Sequence, residues 1–366
     1  MPPLTVLIKP ASGSCNMRCT YCFYADETQN RATENYGMMS EATLEAVVRE
    51  CLARAEGSCS FGFQGGEPTL RGLDFFRRCT ALVERYRPRG LAVSYFLQTN
   101  GLLLDEAWAA FFREHHFLIG LSLDGDRDLH DACRPDAAGK GTFSRVLGAA
   151  RLLDRFGVDY NVLTVVTART ARSIRHIYRF FMKNGLVYQQ YIPCLDPLGE
   201  ARGLHPWSLT PQAYGDFLIR LFDEWYADRR AGRFVYIRYF ENLAALMLGR
   251  PPESCGMLGR CGPQLVVEAD GSAYPCDFYM LDDYRLGNFN TDSLPQMEAR
   301  REQTGFLQES LRGLDRCRTC RWARLCRGGC RRDRQGTALH EIGQNYFCPA
   351  YLRFFEYAAP KLATLL

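Results

Sequence analysis

No stretch of this chain approaches the run of about 20 apolar residues that a membrane-crossing helix requires. It also contains no internal repeat and no low-complexity segment. A membrane-spanning protein and a repeat array are therefore excluded. The opening residues, MPPLTVLIKPASGSC, hold one positive charge, Lys9, and no apolar core followed by a small-residue cleavage site, so no secretory leader is read and the expected location is the cytoplasm. An excess of one charge sign is missing as well. Lys and Arg number 45 against 41 Asp and Glu, and the resulting +4 is too small to favour nucleic acid as a partner. With 47% hydrophobic and 23% charged residues over 366 positions, disorder is ruled out and a large domain with an appended one is expected.

What the chain has in excess is cysteine, sixteen in all. In a reducing compartment that count points to metal ligation or redox chemistry, not to a disulfide scaffold.

From residue 4 to 196 short apolar runs alternate with amphipathic stretches. LTVLIKP, SFGFQ, AVSYFLQTN, FLIGLSLDG, YNVLTVVT and YQQYIPCL read as strands. Between them EATLEAVVRECLARA, LDFFRRCTALVERYR, DEAWAAFFREHH, FSRVLGAARLLDRFG and SIRHIYRFFMKNG place apolar residues three and four apart, as a helix with one buried face does. Near-continuous apolar strands joined by helices imply a parallel sheet covered by helices. Six such units fall short of a closed eight-fold barrel, so an open, partial (β/α)6 barrel is expected, with its chemistry at the carboxyl ends of the strands. Residues 197–254 read as a helical connector with a long helix from about Pro211 to Arg229, and 255–366 as a loop-rich, Arg-rich domain ending in a helix. That last domain opens with a hairpin signal, QLVVEADGSAYPCDFY, turning at Asp270 and Gly271.

Cys15, Cys19 and Cys22 form C-x3-C-x2-C in the loop after the first strand. Three thiolates are one short of a structural zinc site but suit a four-iron cluster with one iron left open. Cys255, Cys261, Cys276, Cys317, Cys320, Cys326, Cys330 and Cys348 crowd the end of the chain and divide into two sets of four; zinc is the rival ligand, and spacing alone does not say which four belong together. Cys51, Cys59, Cys79, Cys133 and Cys194 are read as small buried hydrophobes. The arginines at 318, 321, 324, 327, 331, 332 and 334 are read as a solvated basic face. QGGEP, Gln64 to Pro68, follows the second strand, where glycine permits close backbone approach.

CNMRCTYC after the first strand, followed by QGGEP, resembles the radical S-adenosylmethionine (radical SAM) superfamily, and the C-terminal cysteines resemble its iron–sulfur SPASM extension. The segments PPLTVLIKPASGSCNMRCTYCFY, FGFQGGEPTL, LQTNG, GLSLDG, CLDPL, IRYF, VVEADGSAYPCDFY and CRGGCRR together resemble the anaerobic sulfatase-maturating enzymes, nearly end to end. The resemblance implies a 1–196 radical SAM partial barrel, a 197–254 connector and a 255–366 SPASM domain. It also implies S-adenosylmethionine and three 4Fe–4S clusters as cofactors. One cluster would sit on Cys15, Cys19 and Cys22, an inner auxiliary cluster on Cys255, Cys261, Cys276 and Cys330, and an outer one on Cys317, Cys320, Cys326 and Cys348. Tyr21, Gly66, Ser122, Arg134 and Leu195 would contact S-adenosylmethionine, and Tyr24 and Gln64 would line the substrate pocket. The implied reaction oxidises a Cys or Ser of a sulfatase polypeptide to Cα-formylglycine. A 5′-deoxyadenosyl radical takes a β-hydrogen, Asp277 acts as base, and the auxiliary clusters accept the electron. An unfolded sulfatase segment and a small electron donor such as flavodoxin or ferredoxin are the implied partners. A crosslink-forming SPASM enzyme and a non-catalytic metal or redox protein are the alternatives; crosslinking enzymes often carry a separate N-terminal peptide-binding domain, and a first strand beginning by residue 4 argues against that reading.

Overall fold

The computed structural model describes residues 3–365. Among the described residues ten strands occur, in the order β1 (Leu4–Ile8), β2 (Ser58–Phe63), β3 (Ala92–Thr99), β4 (Phe117–Ser122), β5 (Tyr160–Val166), β6 (Tyr188–Pro193), β7 (Tyr236–Ile237), β8 (Leu265–Val267), β9 (Ser272–Tyr274) and β10 (Gly287–Asn288). The chain folds into two compact units, each built from separate stretches. The first takes the chain up to Ser122, Arg134–Tyr160 and Pro263–Phe306; the second takes Leu123–Cys133, Asn161–Gly262 and the residues from Leu307 on.

In the first unit the strands lie in the order β10-β9-β8-β1-β2-β3-β4. β1 is parallel to both neighbours, Val6 standing opposite Phe61 on one side and Leu265 on the other. With a partner on each edge, β1 has Val6 and Ile8 wholly buried, as a central parallel strand requires. Helices Glu41–Arg54, Leu73–Tyr86, Glu106–Glu114 and Phe143–Phe156 bury their apolar faces in the same core. Phe76 joins sheet to helices there, its ring 4.9 Å edge-on from Phe63 and 5.2 Å from Trp108. β8 and β9 form the antiparallel hairpin read from the sequence, with Gly271 at φ +89°, a conformation few residues other than glycine adopt.

In the second unit β5, β6 and β7 are parallel. Helix Pro211–Arg230, capped by Thr210 and begun by proline, packs against helix Cys348–Ala363, with Phe222 5.9 Å from Phe354. The five cysteines assigned to neither motif are all buried. Among the described residues six helices were not legible in the sequence: Phe23–Gln29, Arg127–Cys133, Ala168–Arg172, Leu294–Thr304, and the four-residue Phe306–Glu309 and Ala323–Cys326. The first three are at most seven residues long, and the fourth, LPQMEARREQT, buries only Leu294 and Met297 of its apolar residues, too few to set a period.

Candidate active site

β1 delivers the chain into the loop that carries Cys15, Cys19 and Cys22. The Sγ of Cys15 accepts from the Met17 amide at 3.4 Å, and the Cys22 amide donates to the Cys19 carbonyl at 3.3 Å. Burial pushes the Cys15 thiol up to about 11, so a metal must displace a proton to bind there. The second motif braces this loop. The Glu67 amide donates to the Ser14 carbonyl at 2.8 Å, and Gly66 sits at φ +45° with its α-carbon so close that a β-carbon would collide with the Ser14 and Ser12 carbonyls. The buried Glu67 carboxylate accepts from the Thr69 and Thr99 hydroxyls at 2.6 and 2.7 Å and from the Asn100 amide at 2.8 Å. Burial raises its pKa against those donors. Asn100 in turn donates to Asn16 at 2.7 Å, inside the cysteine loop. Neither Glu67 nor Asn100 had been singled out for this bracing; each lies inside a quoted segment, QGGEP and LQTNG.

Arg134 meets the same loop from the other side. It is buried, with Nη1 4.0 Å from the Cys19 Sγ and its guanidinium 5.4 Å from the Tyr21 ring centre. The following residue, Pro135, accepts from the Arg18 amide at 2.9 Å. Ser122 ends β4 and is buried, and Gln64 is half-buried, its amide donating to the Ile8 carbonyl at 3.0 Å. In the first unit, then, Tyr21, Gly66 and Arg134 are gathered at the three-cysteine loop. Leu195 follows β6 in the second unit and is half-buried.

Asp277 lies just beyond β9, next to Cys276. It is not held by backbone, as a simple turn residue would be; it accepts from the Lys9 ammonium, whose side chain is 0% exposed against 15% for the aspartate. Lys9 leaves the end of β1, its amide bonded to the Val267 carbonyl at 2.8 Å, and its ammonium stands 4.6 Å from the Tyr24 ring centre. Its stem runs along Gly65, where any β-carbon would strike it. Tyr24 is buried and donates its hydroxyl to Glu268 at 2.6 Å. The same carboxylate accepts from Ser12 at 2.9 Å, Arg31 at 2.8 Å and the Ala269 amide at 2.7 Å. Tyr24 thus works inside a polar core under Lys9. Lys9, Arg31 and Glu268 were missed by sequence reasoning; the one signal was a lysine closing the apolar run LTVLI.

In the second unit Cys317, Cys320, Cys326 and Cys348 line one cavity of about 190 Å³, walled by Trp322 and Phe355. At about 30 Å³ per water that is on the order of six waters. A lone zinc ion, which draws four sulfurs to about 2.3 Å, would leave most of it empty. A four-iron cluster fits the donor set and the room. Burial raises the Cys326 thiol to about 12. Cys255, Cys261 and Cys330 are in this unit and Cys276 is in the first. The basic-face reading of the arginines holds for Arg318, Arg321 and Arg324, which are exposed, and fails for Arg331, Arg332 and Arg334, which are buried because their guanidiniums bind carbonyls and carboxylates inside the unit.

Comparison with known proteins decides what this arrangement belongs to. The Radical SAM superfamily model matches residues 10–181, and an iron–sulfur cluster-binding domain model, SPASM, matches 259–321. A cysteine-type anaerobic sulfatase-maturating enzyme of Clostridium perfringens is 46% identical over 99% of this chain and 98% of its own length. The chain belongs to the anaerobic sulfatase-maturating enzymes. A serine-type member from Bacteroides thetaiotaomicron is 32% identical over 98% of this chain and 90% of its own. The solved structure of native anSMEcpe with bound AdoMet and Cp18Cys peptide superposes at a TM-score of 0.95, with 45% identity, 100% of this chain and 99% of that one covered. SuiB of Streptococcus suis, bound to its precursor peptide SuiA, shares the fold at a TM-score of 0.64 and 17% identity, covering 94% of this chain and 76% of its own. The maturating enzyme is thus a radical SAM oxidoreductase with a parallel α/β architecture, an iron–sulfur SPASM domain and S-adenosylmethionine as cofactor. Among the described residues no helix is long and apolar enough to cross a membrane.

Proposed function

We propose that this enzyme converts a cysteine of an unfolded sulfatase segment to Cα-formylglycine. The three cysteine-type relatives are 45–46% identical to it and the serine-type ones 32–36%, which supports thiol over hydroxyl as its preferred group. Cys15, Cys19 and Cys22 would hold the cluster to which S-adenosylmethionine binds, with Tyr21, Gly66, Ser122, Arg134 and Leu195 around the cofactor. Cys255, Cys261, Cys276 and Cys330 would hold the inner auxiliary cluster, and Cys317, Cys320, Cys326 and Cys348 the outer. When bound, these groups supply one-electron chemistry, including removal of a hydrogen atom from the substrate β-carbon.

The observation that carries the reading is the Lys9–Asp277 pair beside Cys276. Loss of one hydrogen atom, one proton and one electron turns CH2–SH into CH=S, which water hydrolyses to the aldehyde and hydrogen sulfide. Asp277 is the group that takes the proton, and an ammonium fixed behind it orients the carboxylate while leaving its second oxygen for the substrate. The buried Glu268, with four donors, holds Tyr24 and so the floor under Lys9. Gln64, at the end of β2, would meet the substrate segment. Electrons would come from a small acidic carrier such as flavodoxin or ferredoxin, matched by the exposed Arg318, Arg321 and Arg324. Cysteines used as ligands and not as a disulfide scaffold suit a reducing compartment such as the cytoplasm.

The test is anaerobic incubation of reconstituted enzyme with S-adenosylmethionine, dithionite and sulfatase-derived peptides carrying Cys or Ser, read by mass spectrometry. Formylglycine from the Cys peptide is expected, with the Ser peptide slower. S-adenosylmethionine cleavage without any peptide product would reject the reading.

A further inference from the structure

We propose that Arg334, seconded by Arg331, is the fixed charge that raises the reduction potentials of the two auxiliary clusters. The inference rests on the reading that the eight C-terminal cysteines hold such clusters. Arg331 and Arg334 are 1% and 2% exposed. Arg334 is held by two carbonyls of one short strip, Nη2 donating to Ser310 and Nη1 to Arg312, each at 2.6 Å. Carbonyls orient a guanidinium without cancelling its charge.

The strip serves both cysteine sets. At its start, the Ser310 hydroxyl accepts from the Cys261 amide at 3.0 Å; at its far end the Cys317 amide bonds to the Leu314 carbonyl at 2.9 Å. Arg334 thus lies on the segment running from an inner ligand to an outer one. Arg331 directly follows the inner ligand Cys330, and its charge is partly met by Glu309, to which Nη2 donates at 2.6 Å. His340 and Arg312 also face Glu309, at 3.1 and 3.8 Å. The buried Asp333 beside Arg334 is shared with Arg202 and Arg332, so it draws on three cations.

A four-iron cluster on four thiolates is an anion, and adding an electron makes it more so. Net charge and burial are among the levers that set its potential, and a buried cation acts there with little screening. Both auxiliary clusters would therefore be better electron acceptors with Arg334 in place than without it.

The experiment is a redox titration of the auxiliary clusters, followed by electron paramagnetic resonance, in the full-length chain with Cys15, Cys19 and Cys22 changed to Ala. Arg334→Gln is expected to lower both potentials by at least a tenfold change in the reduction equilibrium, about 59 mV for one electron. Arg334→Lys should restore most of that shift. Glu309→Gln, which frees the Arg331 charge, should move the inner potential the other way and the outer one little. Full iron with unchanged potentials in Arg334→Gln would overturn the inference. Should that variant lose iron, an unchanged inner potential in Glu309→Gln overturns it instead. Absence of auxiliary iron from the parent chain would reject the cluster assignment itself, independently of Arg334.

Discussion

Asp277 shows how little of a residue's role is in its own side chain. An aspartate at a hairpin end is an ordinary turn residue, and what changes its meaning is the Lys9 ammonium placed on it from the end of β1. Asp277→Asn should keep its iron and still bind S-adenosylmethionine, yet lose formylglycine by on the order of 100-fold or more, the scale of a missing general base. Deoxyadenosine should persist, since hydrogen removal precedes proton removal. Lys9→Met tests the other half of the pair. It leaves the carboxylate without its buried partner, and breaking such a pair from one side costs about 3 kcal/mol or more. A lower denaturation midpoint and a product yield below that of the parent, with iron retained, are the expected outcomes; equal stability and yield would place Lys9 outside the site.

At the scale of elements, the loop of three cysteines depends on the turn after β2. Gly66→Ala would drive a methyl group into the Ser14 carbonyl, and the strained φ adds to the collision. The expected result is loss of S-adenosylmethionine cleavage with the C-terminal iron untouched, measured as deoxyadenosine release beside elemental iron. The six parallel strands and five covering helices were legible because apolar runs and three-four spacing report burial directly. The cysteine motifs stood out in the sequence because ligation needs one residue type at close spacing. Glu67, Asn100, Glu268 and Arg31 were not. Their role is to meet one another across 33 to 237 residues of chain, as in Glu67 with Asn100 and Arg31 with Glu268, and no local pattern records such a partner. Arg331 and Arg334 were misread for the same reason. Arginine at close intervals is normally solvated, and only the fold reveals which ones are enclosed.

For the whole molecule, the eleven cysteines proposed as ligands in three sets predict about twelve irons per chain after anaerobic reconstitution. Changing Cys15, Cys19 and Cys22 together to Ala should remove about four of them and all cleavage of S-adenosylmethionine; zinc in elemental analysis would instead reject the two auxiliary assignments. A short peptide around the target residue should be modified far faster than the folded sulfatase, because a barrel opening admits an extended chain and a packed domain keeps that chain inside. Equal rates on both would contradict this.

The pairing of β1 with β8 also dictates when the first unit can close during synthesis. Val6 waits for Leu265, a gap of about 260 residues that a ribosome needs roughly 13 to 50 seconds to cover. Throughout that interval one edge of the first strand is unpaired, the Lys9 ammonium has no Asp277 and Arg31 has no Glu268. A nascent chain halted at residue 262 should accordingly be digested by protease within the stretch up to Ser122, and one released after Phe306 should resist. The cysteine loop, though among the first parts translated, matures among the last.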